Sequence, residues 1–72
     1  MGMLDIDWSK VHEKYKWAAQ DEDGKTFVFE SKPFLFEGEL GVWDSFGYMV
    51  LIENNGEPNP DWKNTLTKRP EK

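Results

Sequence analysis

Asp21, Asp23 and Glu30, with Gly24 between them, are the residues whose types and spacing come nearest to a known chemistry. With Ala19 as position one of a twelve-residue loop, acids stand at positions three, five and twelve and glycine at six, which is most of an EF-hand calcium loop. Position one is alanine, which removes a ligand, and the flanking sequence alternates like strand rather than helix. Asp and Gly are also what a tight hairpin turn requires, for local side-chain bonding and for positive φ. The turn is the reading adopted, and no metal is expected.

Other reactive groups are sparse. His12 is the single histidine, there is no cysteine, and Ser9, Ser31 and Ser45 lack a nucleophile-elbow context. Gly38, Gly41 and Gly47 do not form a phosphate-loop pattern. The carboxylates fall in no pattern that places two of them in one enclosed cleft. No catalytic residue and no cofactor are assigned, and the chain reads as a non-enzyme.

The acidic turn sits in the stretch that organises the chain. Residues 15–30 read Y-K-W-A-A-Q-D-E-D-G-K-T-F-V-F-E. Tyr15, Trp17 and Ala19 alternate with Lys16, Ala18 and Gln20 before the turn, and Phe27 and Phe29 alternate with Thr26, Val28 and Glu30 after it. Period-two alternation on both sides of D-G predicts a β-hairpin. Pro33 ends the second strand, and Phe34 to Phe36 begins a third. Residues 37–41 read as a loop, Val42 and Trp43 as a brief apolar pair, and residues 44–47 as a turn. Tyr48 to Glu53, Y-M-V-L-I-E, is rich in β-formers and apolar on both faces, which predicts a central strand. Asn54, Asn55 and Gly56 stop it, and Pro58 and Pro60 forbid helix or ladder beyond.

The ends are expected to cover this sheet. In the first fourteen residues Leu4, Ile6 and Trp8 are spaced by two, as in an extended arm, while Trp8 to His12 also fits one helical turn capped by Asp7 or Ser9. Near the other end Asp61 is placed to cap a turn from Trp62 to Leu66. Four residues apart, Trp62 and Leu66 share a face, leaving Lys63, Lys68 and Arg69 toward water. The predicted fold is mainly β: an antiparallel meander of three to five strands with a short C-terminal helical turn. It is a single domain over residues 1–72, with an arm at 1–14, the meander at 15–53 and a proline-rich loop and tail at 54–72.

A 72-residue chain buries only about 60% of its unfolded surface, so its core is marginal. Without disulfides, the four Trp, five Phe and two Tyr supply the compensation. Self-association is a further route to stability. The net charge of −5 argues against nucleic acid and anionic membrane as partners. The charge is concentrated: residues 18–57 carry nine acids against Lys25 and Lys32, while residues 61–72 carry four bases against two acids. An acidic body of this size also fits plain solubility, so mimicry of a phosphate backbone gains little support from it. No apolar run approaches the roughly 18 residues of a membrane span, no signal-peptide pattern opens the chain, and a reducing cytoplasm fits the lack of cysteine.

Trp17 is expected in the core. Trp8, Trp43 and Trp62 lie near element ends, where lid and binding surface are both open. The candidate binding residues are Trp43, Tyr48, Trp62, Lys63 and Arg69: aromatics that stack and cations that hold an anion.

Three segments carry a resemblance. W-A-A-Q-D-E-D-G-K-T-F-V-F-E at 17–30 is followed by Lys32 and Pro33, the middle contains Trp43, and D-W-K-N-T-L-T-K-R-P at 61–70 is similar to a W-x-x-S-L-x-x-R-P tail, with Thr65 in place of Ser. In these the chain resembles small phage- and prophage-encoded proteins, mostly of unknown function, over roughly three quarters of its length. The resemblance implies phage origin and transfers no catalytic residue. It favours an accessory protein that binds and modulates a host protein in the bacterial cytoplasm, for instance to inhibit a defence enzyme. A second reading is a sponge for a nucleotide signal, with Trp43, Tyr48 or Trp62 stacking the base and Lys63 or Arg69 holding phosphate. A third is a structural or assembly domain with no ligand.

Overall fold

The structure, a computed structural model, describes residues 4, 6–35, 41–54 and 56–70. Its strands are β1 (Trp17–Gln20), β2 (Lys25–Phe29), β3 (Phe34–Leu35), β4 (Trp43–Asp44), β5 (Met49–Asn54) and β6 (Thr67–Lys68), with single 3-10 turns at Trp8–Lys10 and Trp62–Asn64. The fold is mainly β, and all strand pairs are antiparallel. Phe36 and most of the expected loop at 37–41 lie outside the described residues, as does Asn55.

The hairpin forms with the register that its alternation requires, Trp17 opposite Phe29 and Ala19 opposite Phe27. The acids of its turn bond locally and inward. Asp23 Oδ1 accepts the Lys25 N–H at 3.1 Å, the Gly24 N–H reaches the Asp21 carbonyl at 3.0 Å, and Gly24 takes a φ of 92°. A Cβ at Gly24 would run into the Glu57 carbonyl oxygen, so close packing adds to the φ requirement for glycine.

Connectivity departs from a meander. The main sheet has the order β5-β2-β1-β6, while β3 and β4 form a separate two-stranded ribbon. β6 comes from the segment read as tail, so the C-terminus closes the hairpin on its free side, with Trp17 opposite Lys68 and Ala18 opposite Thr67. β1 and β2 are therefore the central strands, and Ala18, Ala19, Val28 and Phe29 are fully buried. β5 is an edge strand, not the central strand its composition indicates. The sequence pattern registers apolarity on two faces but cannot register whether a further strand arrives on the outer side.

The core lies on one face of the hairpin. Ala19, Phe29, Trp43 and Trp62 form it, with Trp17, Phe27 and Leu66 packed against them. The small Ala19 leaves room for two indoles, which meet edge to face at 6.5 Å between centroids. Trp62 and Leu66 thus share a face and cover the sheet as their spacing indicates. Trp8, on the arm, is half-buried outside this cluster.

Candidate functional site

Each expected binding residue has a definite place: Trp43 and Trp62 meet in the core, and the five do not converge on one surface. Trp43 and Trp62 are core, 6% and 8% exposed. Trp43 donates its Nε1–H to the Gln20 carbonyl at 3.1 Å and to that of Trp62 at 3.3 Å. Packed into the core, neither indole offers a stacking surface, which corrects their assignment as ligand platforms. Lys63 is exposed, its Nζ 5.7 Å from the Trp62 ring centroid.

Arg69 is also corrected: it turns inward rather than toward water. Its Nη1 donates to the carbonyls of His12 (2.8 Å) and Tyr15 (3.0 Å), and its Nη2 to those of Trp8 (3.1 Å) and Val11 (3.2 Å). The guanidinium also lies 5.1 Å from the Trp8 ring centroid. A planar fork suits this task, and the residues it gathers are the N-terminal arm. Committed to four carbonyls, it has no pair of donors left for a phosphate.

The tail motif has the same structural character. Thr65 is buried, accepts the Gln20 N–H at 2.9 Å and donates to the Trp62 carbonyl at 2.7 Å. Trp62 plugs the core, Thr65 ties the 3-10 turn to β1, and Arg69 ties the arm to the tail. Serine and threonine share the hydroxyl that this position uses.

Two surfaces stand out among the described residues. One is a cleft of about 840 Å³ lined by Trp8, Trp17, Lys16, Lys68, Arg69 and Glu13. The protein's own cations already cover its rings: Lys32 and Lys68 lie 5.6 and 5.9 Å from the Trp17 centroid, and Arg69 is over Trp8.

The other is the outer edge of β5 with its approach. Phe46 is 94% exposed and Tyr48 69%, and Met49, Val50, Leu51 and Ile52 are between 37% and 47% exposed. Phe46 touches the β3–β4 ribbon at its margin, with ring centroids 5.1 Å apart to Phe34. Lys14 Nζ lies 4.9 Å from the Tyr48 ring centroid. Of the sequence-based candidates, Tyr48 alone lies on this surface. The sequence pattern of Phe46 and residues 49–52 points to turn and interior rather than to a surface. The signal for an open edge is that from 48 to 52 there is no Lys, Pro or acid of the kind that commonly blunts one.

One buried acid has an altered acidity. Burial pushes the Asp21 carboxyl above the usual range, the Trp43 N–H at 3.0 Å pulls it down, Asp23 pushes it up again and Lys25 opposes. Asp21 anchors β4 to the hairpin through the Trp43 N–H.

The fold and this surface define a small antiparallel β-protein with one open apolar edge. Comparison with known proteins finds no family model that matches the chain, and no significant match among curated proteins or solved structures. Among the described residues, no helix is long and apolar enough to cross a membrane.

Proposed function

We propose that the chain is a non-enzymatic, phage-type accessory protein that binds and modulates a protein of its bacterial host in the cytoplasm, a defence enzyme being one such target. The docking surface is the β5 edge together with Phe46 and Tyr48. The observation that carries this reading is the exposure of six consecutive strand residues, of which Met49 to Ile52 are all apolar. Contiguous apolar surface of this kind marks interaction sites, and an open strand accepts a partner's strand through main-chain bonds. The acidic body around it favours a partner with a basic surface. The nucleotide-sponge reading is less favoured, because two of its stacking residues are core and its phosphate-binding Arg69 is occupied, which leaves it Tyr48 and Lys63.

The test places a photo-crosslinking amino acid at Phe46 and expresses the chain in host cells. A discrete host protein should crosslink, and Leu51→Lys should abolish the product. The proposal fails if no host protein is captured, or if capture is unchanged in the Leu51→Lys chain.

A further inference from the structure

We infer that in the free protein the open edge of β5 is covered by the same edge of a second copy, the two strands running antiparallel across a two-fold axis at Val50. This rests on the reading of that edge as a docking surface and adds its regulation: the second copy must leave before a host protein can bind.

The backbone fixes which groups are available. The Glu30 N–H donates to the Tyr48 carbonyl at 3.0 Å, which turns that carbonyl toward β2. Antiparallel ladders alternate, and Val28 stands opposite Val50, so Val50 turns its N–H and C=O groups toward β2 while Met49 and Leu51 turn theirs outward. Past Leu51 the register shifts, because Ile52 is an extra residue between the pairs Phe27–Leu51 and Thr26–Glu53. Toward the start, the Gly47 N–H is already given to Ser45 Oγ at 3.2 Å. The free stretch is therefore short and centred on Val50. Setting Val50 against its own symmetry mate pairs Met49 of each copy with Leu51 of the other and uses every outward group of both residues. Shifting the dyad to Met49 or Leu51 would leave some of them unpaired.

Charge favours the same arrangement. Glu53 is the one charged residue of β5 and lies near its far end, while Lys14 rests on the Tyr48 ring at the near end. Antiparallel pairing brings each Glu53 toward the other copy's Tyr48 and Lys14, whereas parallel pairing would set Glu53 beside Glu53. Area suits a dissociable pair. With about 150–250 Å² for a whole aromatic side chain, Phe46 and Tyr48 leave roughly 300 Å² open per copy. Residues 49–52 bring this to roughly 600 Å², so about 1,200 Å² is the ceiling for two copies, and edge pairing, which leaves part of both faces in water, falls below it, in the range of weak interfaces. The assembly closes at two, because the opposite edge, β6, is only Thr67–Lys68 and the Leu4 N–H crosses to Thr67 Oγ1 at 3.1 Å.

The test is solution mass by light scattering and sedimentation across concentration, with amide exchange on the unmodified chain. A species of twice the 8.5 kDa chain mass is expected at high concentration, dissociating on dilution. The Met49 and Leu51 amides should slow in exchange as concentration rises, while that of Val50 is slow throughout. Leu51→Lys and Met49→Glu should each weaken the dimer at least tenfold. Mixing the two variant chains should restore it, because the introduced ammonium of one then faces the introduced carboxylate of the other. A monomer at all concentrations, masses beyond two copies, or concentration-independent exchange at Met49 and Leu51 would overturn the inference. A monomeric chain whose Phe46 crosslink is lost on Leu51→Lys overturns the dimer and leaves host docking intact. A dimer that captures no host protein supports the pairing of the two edges and overturns host docking and, with it, the regulation.

Discussion

Replacing Arg69 with alanine removes a group that reaches four carbonyls of the N-terminal arm, at 2.8 to 3.2 Å. The four do not suffer equally. The His12 carbonyl also accepts the Tyr15 N–H, and the Trp8 carbonyl also accepts the Val11 N–H, each at 3.1 Å. The Val11 and Tyr15 carbonyls have no second donor among the described residues and are the ones left unpaired. Hydrogen bonds to a charged donor contribute about 1.5–3 kcal/mol each, but the arm is partly exposed and water replaces some of that, so the expected cost is about 2–4 kcal/mol. A domain this size has a total stability on the order of 4–10 kcal/mol. At roughly 4–8 °C per kcal/mol, a loss near 2.5 kcal/mol lowers Tm by about 10–20 °C.

Thermal unfolding by circular dichroism measures this loss. Arg69→Lys should recover less than half of it, because a compact ammonium cannot bridge carbonyls set around a planar fork. The acceptors are carbonyls and not carboxylates, so the effect should persist at about 1 M salt, where exposed ion pairs are screened. A drop below about 4 °C, full rescue by lysine, or disappearance of the effect in salt would each refute the clamp.

Thr65→Val keeps the shape and removes the hydroxyl that bonds the Gln20 N–H and the Trp62 carbonyl. It should cost about 1–3 kcal/mol in denaturant unfolding, whereas Thr65→Ser should cost less than half as much. The Asp21 carboxyl is raised above 3.8 chiefly by burial, so the folded state keeps its proton where the unfolded chain has lost it. The contribution of this group therefore falls as pH rises from 3.8 through the folded-state value. Asp21→Asn lacks the titration and keeps an oxygen for the Trp43 N–H, so its Tm relative to the natural chain should rise from about pH 4 to about pH 7. A flat or falling difference would contradict the sign.

What was legible in the sequence was local. The D-G turn and its alternating flanks specify the register of β1 and β2, because a one-residue slip would turn every side chain to the other face. The four-residue spacing of Trp62 and Leu66 specifies a shared face, and both reach the core. What was not legible depends on partners distant in sequence. Thr67 and Lys68 become strand only because β1 offers a free side, and their own composition carries no such instruction. Arg69 reads as a solvated cation because its acceptors are backbone carbonyls 54 to 61 residues away, and carbonyls leave no mark in a sequence. Thr65 is hidden for the same reason, since its partner is the Gln20 backbone 45 residues distant.

β5 differs in kind from these, because its apolar pattern is plain in the sequence while its place at the sheet edge is not. An apolar strand with no blunting residue from 48 to 52 ordinarily belongs in the middle of a sheet, since natural edges carry charge, proline or a cover. Within one copy, β2 covers one side of β5 and nothing described covers the other. The sequence and the isolated chain agree once the sheet is allowed to continue into another molecule, where β5 regains the central place that its composition demands. Composition thus reports the environment of the strand in the assembled state, and the single chain reports what remains open when the partner is absent. Leu51→Lys separates the two, because it changes the assembled edge while leaving untouched the Val28–Val50 pairing that holds β5 to its own sheet. Loss of folding in that variant, rather than loss of association, would mean that the outer face of β5 already serves the single chain.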